Sequence, residues 1–154
     1  MLSALLLLAA VPVVPAGEVF TCTLVRVWDG DGPVWCAEGP RLRLAGIAAR
    51  EMDGSCRSNQ PCPDATADQA RDALVRLIGV PTGRSVEGHV LLKGPAMRCT
   101  SDGNGVGNRT AAWCVSPVGG DVSCGRLGAT LGSLLAGACV LEAPPKLRLA
   151  VNDP

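Results

Sequence analysis

The 154-residue chain has no tyrosine, one phenylalanine and three tryptophans. That scarcity excludes a core built on stacked aromatic rings, so Leu, Val, Ala and Ile have to fill it. A single histidine and the absence of any Cys-x-x-Cys pair remove the usual ligand spacing of a structural zinc site. Charge of either sign is not in excess: 14 Lys and Arg stand against 14 Asp and Glu. Proteins that coat nucleic acid regardless of sequence draw affinity from a surplus of cations that neutralise phosphates. Neutrality argues against that role and leaves room only for a local basic cleft. The one long apolar run, residues 5–14, is too short for a comfortable transmembrane helix. No internal repeat is evident.

What is present begins with that run. Val14-Pro15-Ala16 places small residues at the minus-three and minus-one positions of a leader cleavage site. Residues 1–17 therefore read as a secretory signal, with no Lys or Arg ahead of the apolar part; the competing reading is an uncleaved anchor or a misplaced start. Residues 18–142 read as one domain and residues 143–154 as an irregular tail. The expected location is secreted or periplasmic, with no membrane contact after cleavage. All eight cysteines follow the leader, and an even count in a small exported domain points to disulfides. Eight cysteines allow about a hundred connectivities. Two pairs stand out: Cys56 with Cys62, which would close a short loop, and Cys99 with Cys114, which flank a glycine-rich turn at 101–107.

Residues 19–27 read as a strand, Asp29-Gly30 as a hairpin turn, and 33–36 as the start of the returning strand. Residues 41–47 alternate charged and apolar side chains, which puts Leu42 and Leu44 inward and Arg41 and Arg43 on the opposite face. A helix is expected over 64–78, capped by Asp64, with Ala67, Ala70, Leu74, Leu77 and Ile78 as its apolar stripe. Further strands are expected at 85–92 and 111–115, and a second, glycine-weakened helix at 121–136. Three strands, a helix, two strands and a helix suit an α+β, mainly β fold: a five-stranded Greek-key barrel of the OB type with about two helices.

Chemistry concentrates at Asp29-Gly30-Asp31 and at Arg43 and Glu51, eight residues apart. A carboxylate can activate water, a guanidinium can take the charge that develops on phosphorus, and acidic residues can hold a cation. The pattern resembles the staphylococcal-nuclease (thermonuclease) family over roughly residues 19–141. Asp29-Gly30-Asp31-Gly32 matches the family's Asp-Gly-Asp-Thr. Arg43-Leu44-Ala45-Gly46-Ile47-Ala48-Ala49-Arg50-Glu51 matches its arginine-to-glutamate motif. Gly107-Asn108-Arg109 followed by Thr110-Ala111-Ala112-Trp113 matches its Tyr-Gly-Arg and the strand after it. The resemblance implies Arg43 and Arg109 as catalytic arginines, Glu51 as general base and Asp31 as a calcium ligand. It implies DNA or RNA as substrate and a monomer. The chain departs from the family at Ala48, where a second metal-ligating aspartate is usual, at Arg50, where proline is usual, and at the missing tyrosine. Calcium takes six to eight oxygens, so Asp31, Glu51, the Ala49 carbonyl and waters make a poor Ca2+ site. Arg50 could repel the metal or stand in for part of its charge.

Taken singly, Asp29 and Asp31 are turn residues, His89 a structural strand residue, and Arg126 and Arg148 surface charges. Asn108-Arg109-Thr110 is a glycosylation sequon by pattern only. The expected function is an exported phosphodiesterase cutting DNA or RNA. The alternatives are an inactive OB module that binds nucleic acid, nucleotide or protein, and a disulfide-stapled structural domain.

Overall fold

The computed structural model describes residues 12–60, 62–118 and 120–122. Strand β1 spans Val19–Val27, β2 Val34–Cys36 and β3 Arg41–Leu44; helix α1 spans Ala67–Ile78. They are followed by β4 (Val80–Arg84), β5 (Val90–Lys93), β6 (Ala96–Gly105), β7 (Arg109–Ser116) and the short β8 (Gly120–Asp121). Along β1, Cys22 and Leu24 point inward with period two, and a bulge between Leu24 and Arg26 resets the phase so that Val27 is buried.

Five strands close a ring: β1 pairs with β2, β2 with β3, β3 with β7, β7 with β6, and β6 with β1. All these pairings are antiparallel except β3 with β7, which is parallel. This is the OB-like closed barrel expected from the sequence, with one helix among the described residues. The core inside it is aliphatic, as the shortage of rings required. Leu24, Val27, Val34, Leu42, Leu44, Leu74, Ile78 and Met97 are at most 2 % exposed. Phe20 only packs against its edge. His89 is wedged between Trp28 and Trp35 at 5.0 and 4.6 Å between ring centroids, and its Nδ1 meets Ser85 Oγ at 3.1 Å, a structural placement.

Three local expectations change. The helix is capped by Thr66, not Asp64: Thr66 Oγ1 accepts from the Gln69 amide and Gln69 Oε1 accepts from the Thr66 amide. That reciprocal pair satisfies two otherwise orphaned donors. The strand expected at 85–92 starts only at Val90, because Ser85 to His89 form a tight turn between β4 and β5. Finally, most of the glycine-rich turn expected at 101–107 is strand: β6 runs to Gly105 and pairs with β7, with a bulge between Ser101 and Gly103. The helix expected at 121–136 and the tail at 143–154 lie outside the described residues.

Disulfides join Cys22 to Cys36, Cys56 to Cys62 and Cys99 to Cys114. The last two are the pairs singled out by spacing; the first links β1 to β2. These three disulfides among the described residues are compatible with an extracellular protein, and no helix among the described residues is long and apolar enough to cross a membrane. Within the stretch read as a leader, Val14 is bound to the barrel. Its amide donates to Thr110 Oγ1 at 3.0 Å, and its carbonyl accepts from Ser101 Oγ at 2.7 Å.

Candidate active site

The acidic turn is built by Asp29. Its Oδ1 accepts from the amides of Asp31 at 3.2 Å and Gly32 at 2.8 Å, an Asx-type turn that bends the chain from β1 toward β2. Gly30 has no room for a side chain: a Cβ there would lie 2.5 Å from the Cβ of Ala70 on α1. The turn is thus pressed against the helix. The Asp31 carbonyl accepts from the Leu44 amide at 2.9 Å, which sets Asp31 beside β3.

The parallel pairing of β3 with β7 aligns Leu42 with Thr110, Arg43 with Ala111 and Leu44 with Ala112. Leu42, Thr110, Leu44 and Ala112 are fully buried. Arg43, Ala111 and, two residues earlier on β7, Arg109 therefore share the outward face. Arg43 Nη2 pairs with Asp31 Oδ2 at 2.9 Å and donates to Gln60 Oε1 at 3.1 Å, while its Nη1 is buried without a hydrogen-bond partner among the described residues. Glu51, just past the strand, is held in a tight loop, its amide donating to Ser55 O and its carbonyl accepting from Gly54. Arg109 Nε donates to Val106 O at 2.6 Å, which fixes the guanidinium at the turn between β6 and β7.

Of the residues singled out from sequence, Arg43 and Glu51 both act on Asp31, and Arg43 and Asp31 both act on Arg109. Burial pushes the Asp31 carboxyl up, opposed by Arg43 and Arg57 and reinforced by Glu51. The Arg109 guanidinium is lowered by burial and by the nearby charges of Arg57 and Arg43, with Asp31 and Asp29 acting the other way. Asp29, 2 % exposed, is pushed up to about 7, first by burial and then by the Asp31 charge. Three guanidinium groups, Arg43, Arg57 and Arg109, thus share the site with the carboxyl groups of Asp29 and Asp31.

Two members of this set were not singled out from the sequence. Arg57 Nε meets Glu51 Oε1 at 2.6 Å, and Gln60 contacts Arg43. Both belong to the loop closed by Cys56–Cys62. The available signal was that an arginine beside a bridged cysteine is folded back by the bridge. Arg50, expected to bring its charge near the metal site, turns elsewhere: Nε donates to Pro63 O at 2.7 Å and Nη1 to Gly54 O at 3.0 Å. It braces the loop. An open cleft of about 250 Å³ runs beside Arg43, walled by Gly46, Ile47, Ala48, Asn59 and Gln60.

The donor set does not fit calcium. Asp31 Oδ2 is taken by Arg43, Glu51 Oε1 by Arg57, and Ala48 offers no carboxylate. Among the described residues the one group of three ligand-type side chains within 4.8 Å is Cys22, Cys36 and Glu38. There the two sulfurs form a disulfide and Glu38 is bound to Thr23. Comparison of the chain with protein-family models, curated proteins and solved structures returns no match.

Proposed function

We propose that the chain is an exported phosphodiester hydrolase that acts on nucleic acid, in line with its resemblance to the thermonuclease family. One observation carries the reading. Arg43 and Arg109 share the outward face of two paired parallel strands, Asp31 is ion-paired with Arg43, and the charges of Arg43 and Glu51 both act on Asp31. Guanidinium groups match the oxygens of a phosphodiester and stabilise the charge that grows on them in the transition state. Glu51 is the base. A water oxygen bonds to phosphorus, its proton passes to the Glu51 carboxylate, and the P–O bond opposite breaks. Solvent protonates the leaving oxygen, and Glu51 returns its proton to solvent. Asp31 holds Arg43 in place through their 2.9 Å ion pair.

Glu51→Gln keeps the shape of the side chain and removes the base. In a folded variant it is expected to reduce cleavage of single-stranded DNA and RNA by about a hundredfold or more; undiminished cleavage would remove Glu51 from the mechanism. Ala48 and the occupied carboxylates favour a second reading, a barrel that binds the phosphate backbone without cutting it. Oligonucleotide binding that is lost in Arg43→Gln, with no cleavage under any condition, would establish that one.

A further inference from the structure

We infer that Arg57 occupies the chemical place of the divalent cation, so that the site engages a phosphodiester with three guanidinium groups and needs no metal. This rests on the phosphodiester reading above and specifies how that site holds its substrate. Three observations carry it. The carboxylates that would ligate a cation are each already paired with an arginine, Asp31 with Arg43 at 2.9 Å and Glu51 with Arg57 at 2.6 Å. The position of a further carboxylate is Ala48, buried beside the cleft. Arg57 also belongs to the same electrostatic set as the two strand arginines, since Asp31 and Arg109 both feel its charge.

The geometry suits an oxyanion. Arg57 meets Glu51 through Nε, and its two Nη groups make no hydrogen bond among the described residues. Those groups form the planar fork that matches two phosphate oxygens. The pairing with Glu51 raises the Arg57 guanidinium further above the ordinary arginine value, so the charge is permanent. A fixed guanidinium beside the base can neutralise a non-bridging oxygen as a metal would.

The inference also assigns a role to the loop. Cys56 and Cys62 close a loop with a sequence separation of 6 that delivers both Arg57 to Glu51 and Gln60 to Arg43. The other two disulfides among the described residues, Cys22–Cys36 and Cys99–Cys114, are buried in the barrel wall. Opening this one bridge frees the cation substitute without touching them, so phosphodiester binding should depend on it.

The test measures binding of the dinucleotide TpT to the oxidised protein by calorimetry or NMR, with chelator and with calcium, alongside cleavage of a longer single strand. Wild type is expected to bind TpT in chelator and to gain less than about twofold from calcium. Arg57→Gln should weaken binding by about tenfold to a hundredfold. Arg57→Lys should restore part of it, because it keeps the charge and loses the fork. Cys56→Ser with Cys62→Ser should match Arg57→Gln while the barrel's circular dichroism is unchanged. Binding in chelator that is indifferent to Arg57→Gln overturns the inference and leaves the phosphodiester reading standing. Binding that requires calcium does the same. No TpT binding and no cleavage under either condition overturns both.

Discussion

At the scale of single residues, the site is set by which carboxyl groups are ionised and which are paired. Asp29 is the clearest case. Its carboxyl is raised in the fold to about 7 from 3.8, chiefly by burial and then by Asp31. A group raised in the folded state contributes stability that is complete below its unfolded value and is lost as pH rises through its folded value. Stability should therefore fall between about pH 4 and about pH 7 and level off above. The groups facing Asp29 in this window are Asp31, Arg57 and Arg109. Asp29→Asn keeps an oxygen for the two turn amides and removes the charge. It should flatten the slope and stabilise the protein at pH 8 by on the order of 2 kcal/mol, read from chemical denaturation; a slope unchanged in the variant would assign it to another group. Arg43, Glu51 and Arg109 were legible because each sits in a motif with fixed spacing. Arg57 and Gln60 were not, since only the closed Cys56–Cys62 loop brings them to the site. Arg50 was misplaced because sequence adjacency to Glu51 says nothing about where a long side chain turns.

At the scale of elements, the close packing of the acidic turn on α1 positions Asp31. Gly30→Ala would bring a methyl within 2.5 Å of Ala70 and 3.0 Å of Ala49. It should destabilise the fold by about 1–3 kcal/mol, seen as a lower midpoint of unfolding. Because the turn would have to lift, cleavage should fall as well, even in protein that remains folded; a neutral variant would mean the helix yields at no cost. The segments of β1, β2, β3 and β7 were readable from the sequence. Others were not, for identifiable reasons. Strand β4 carries Pro81 and Gly83, tolerated because it is an exposed edge. The end of β6 reads as a turn from Ser101, Asp102 and Gly103, but pairing with β7 overrides local preference. The helix start was set at Asp64 although the Thr66-x-x-Gln69 box lies two residues on. The parallel contact of β3 with β7, which unites Arg43 with Arg109, joins segments far apart in sequence, and no local pattern encodes it.

At the scale of the whole molecule, a neutral chain with an aliphatic barrel, three disulfides among its described residues and a small cleft beside Arg43 suits processing of a phosphate ester better than coating of nucleic acid. The barrel also uses the segment before β1. Removing residues up to 17 takes away the Val14 partners of Ser101, 1 % exposed, and Thr110, fully buried. A chain beginning at Glu18 should be less stable than one beginning at Pro12 by about 1–3 kcal/mol, measured by urea unfolding. Equal stability would show that water replaces those contacts without loss. The apolar, small-residue pattern at 14–16 made this segment look dispensable; its hydrogen bonds to β6 and β7 are long-range and leave no trace in the local sequence.

The most direct measurement is cleavage of single-stranded DNA and RNA by the oxidised protein in chelator, with Glu51→Gln and Arg57→Gln run beside it. The account predicts cleavage that survives chelation, falls by about a hundredfold or more in Glu51→Gln and is strongly reduced in Arg57→Gln. Cleavage that appears only with calcium and ignores Arg57→Gln would contradict the arginine-for-metal exchange. No cleavage from a folded sample, with or without calcium, would contradict the hydrolase itself.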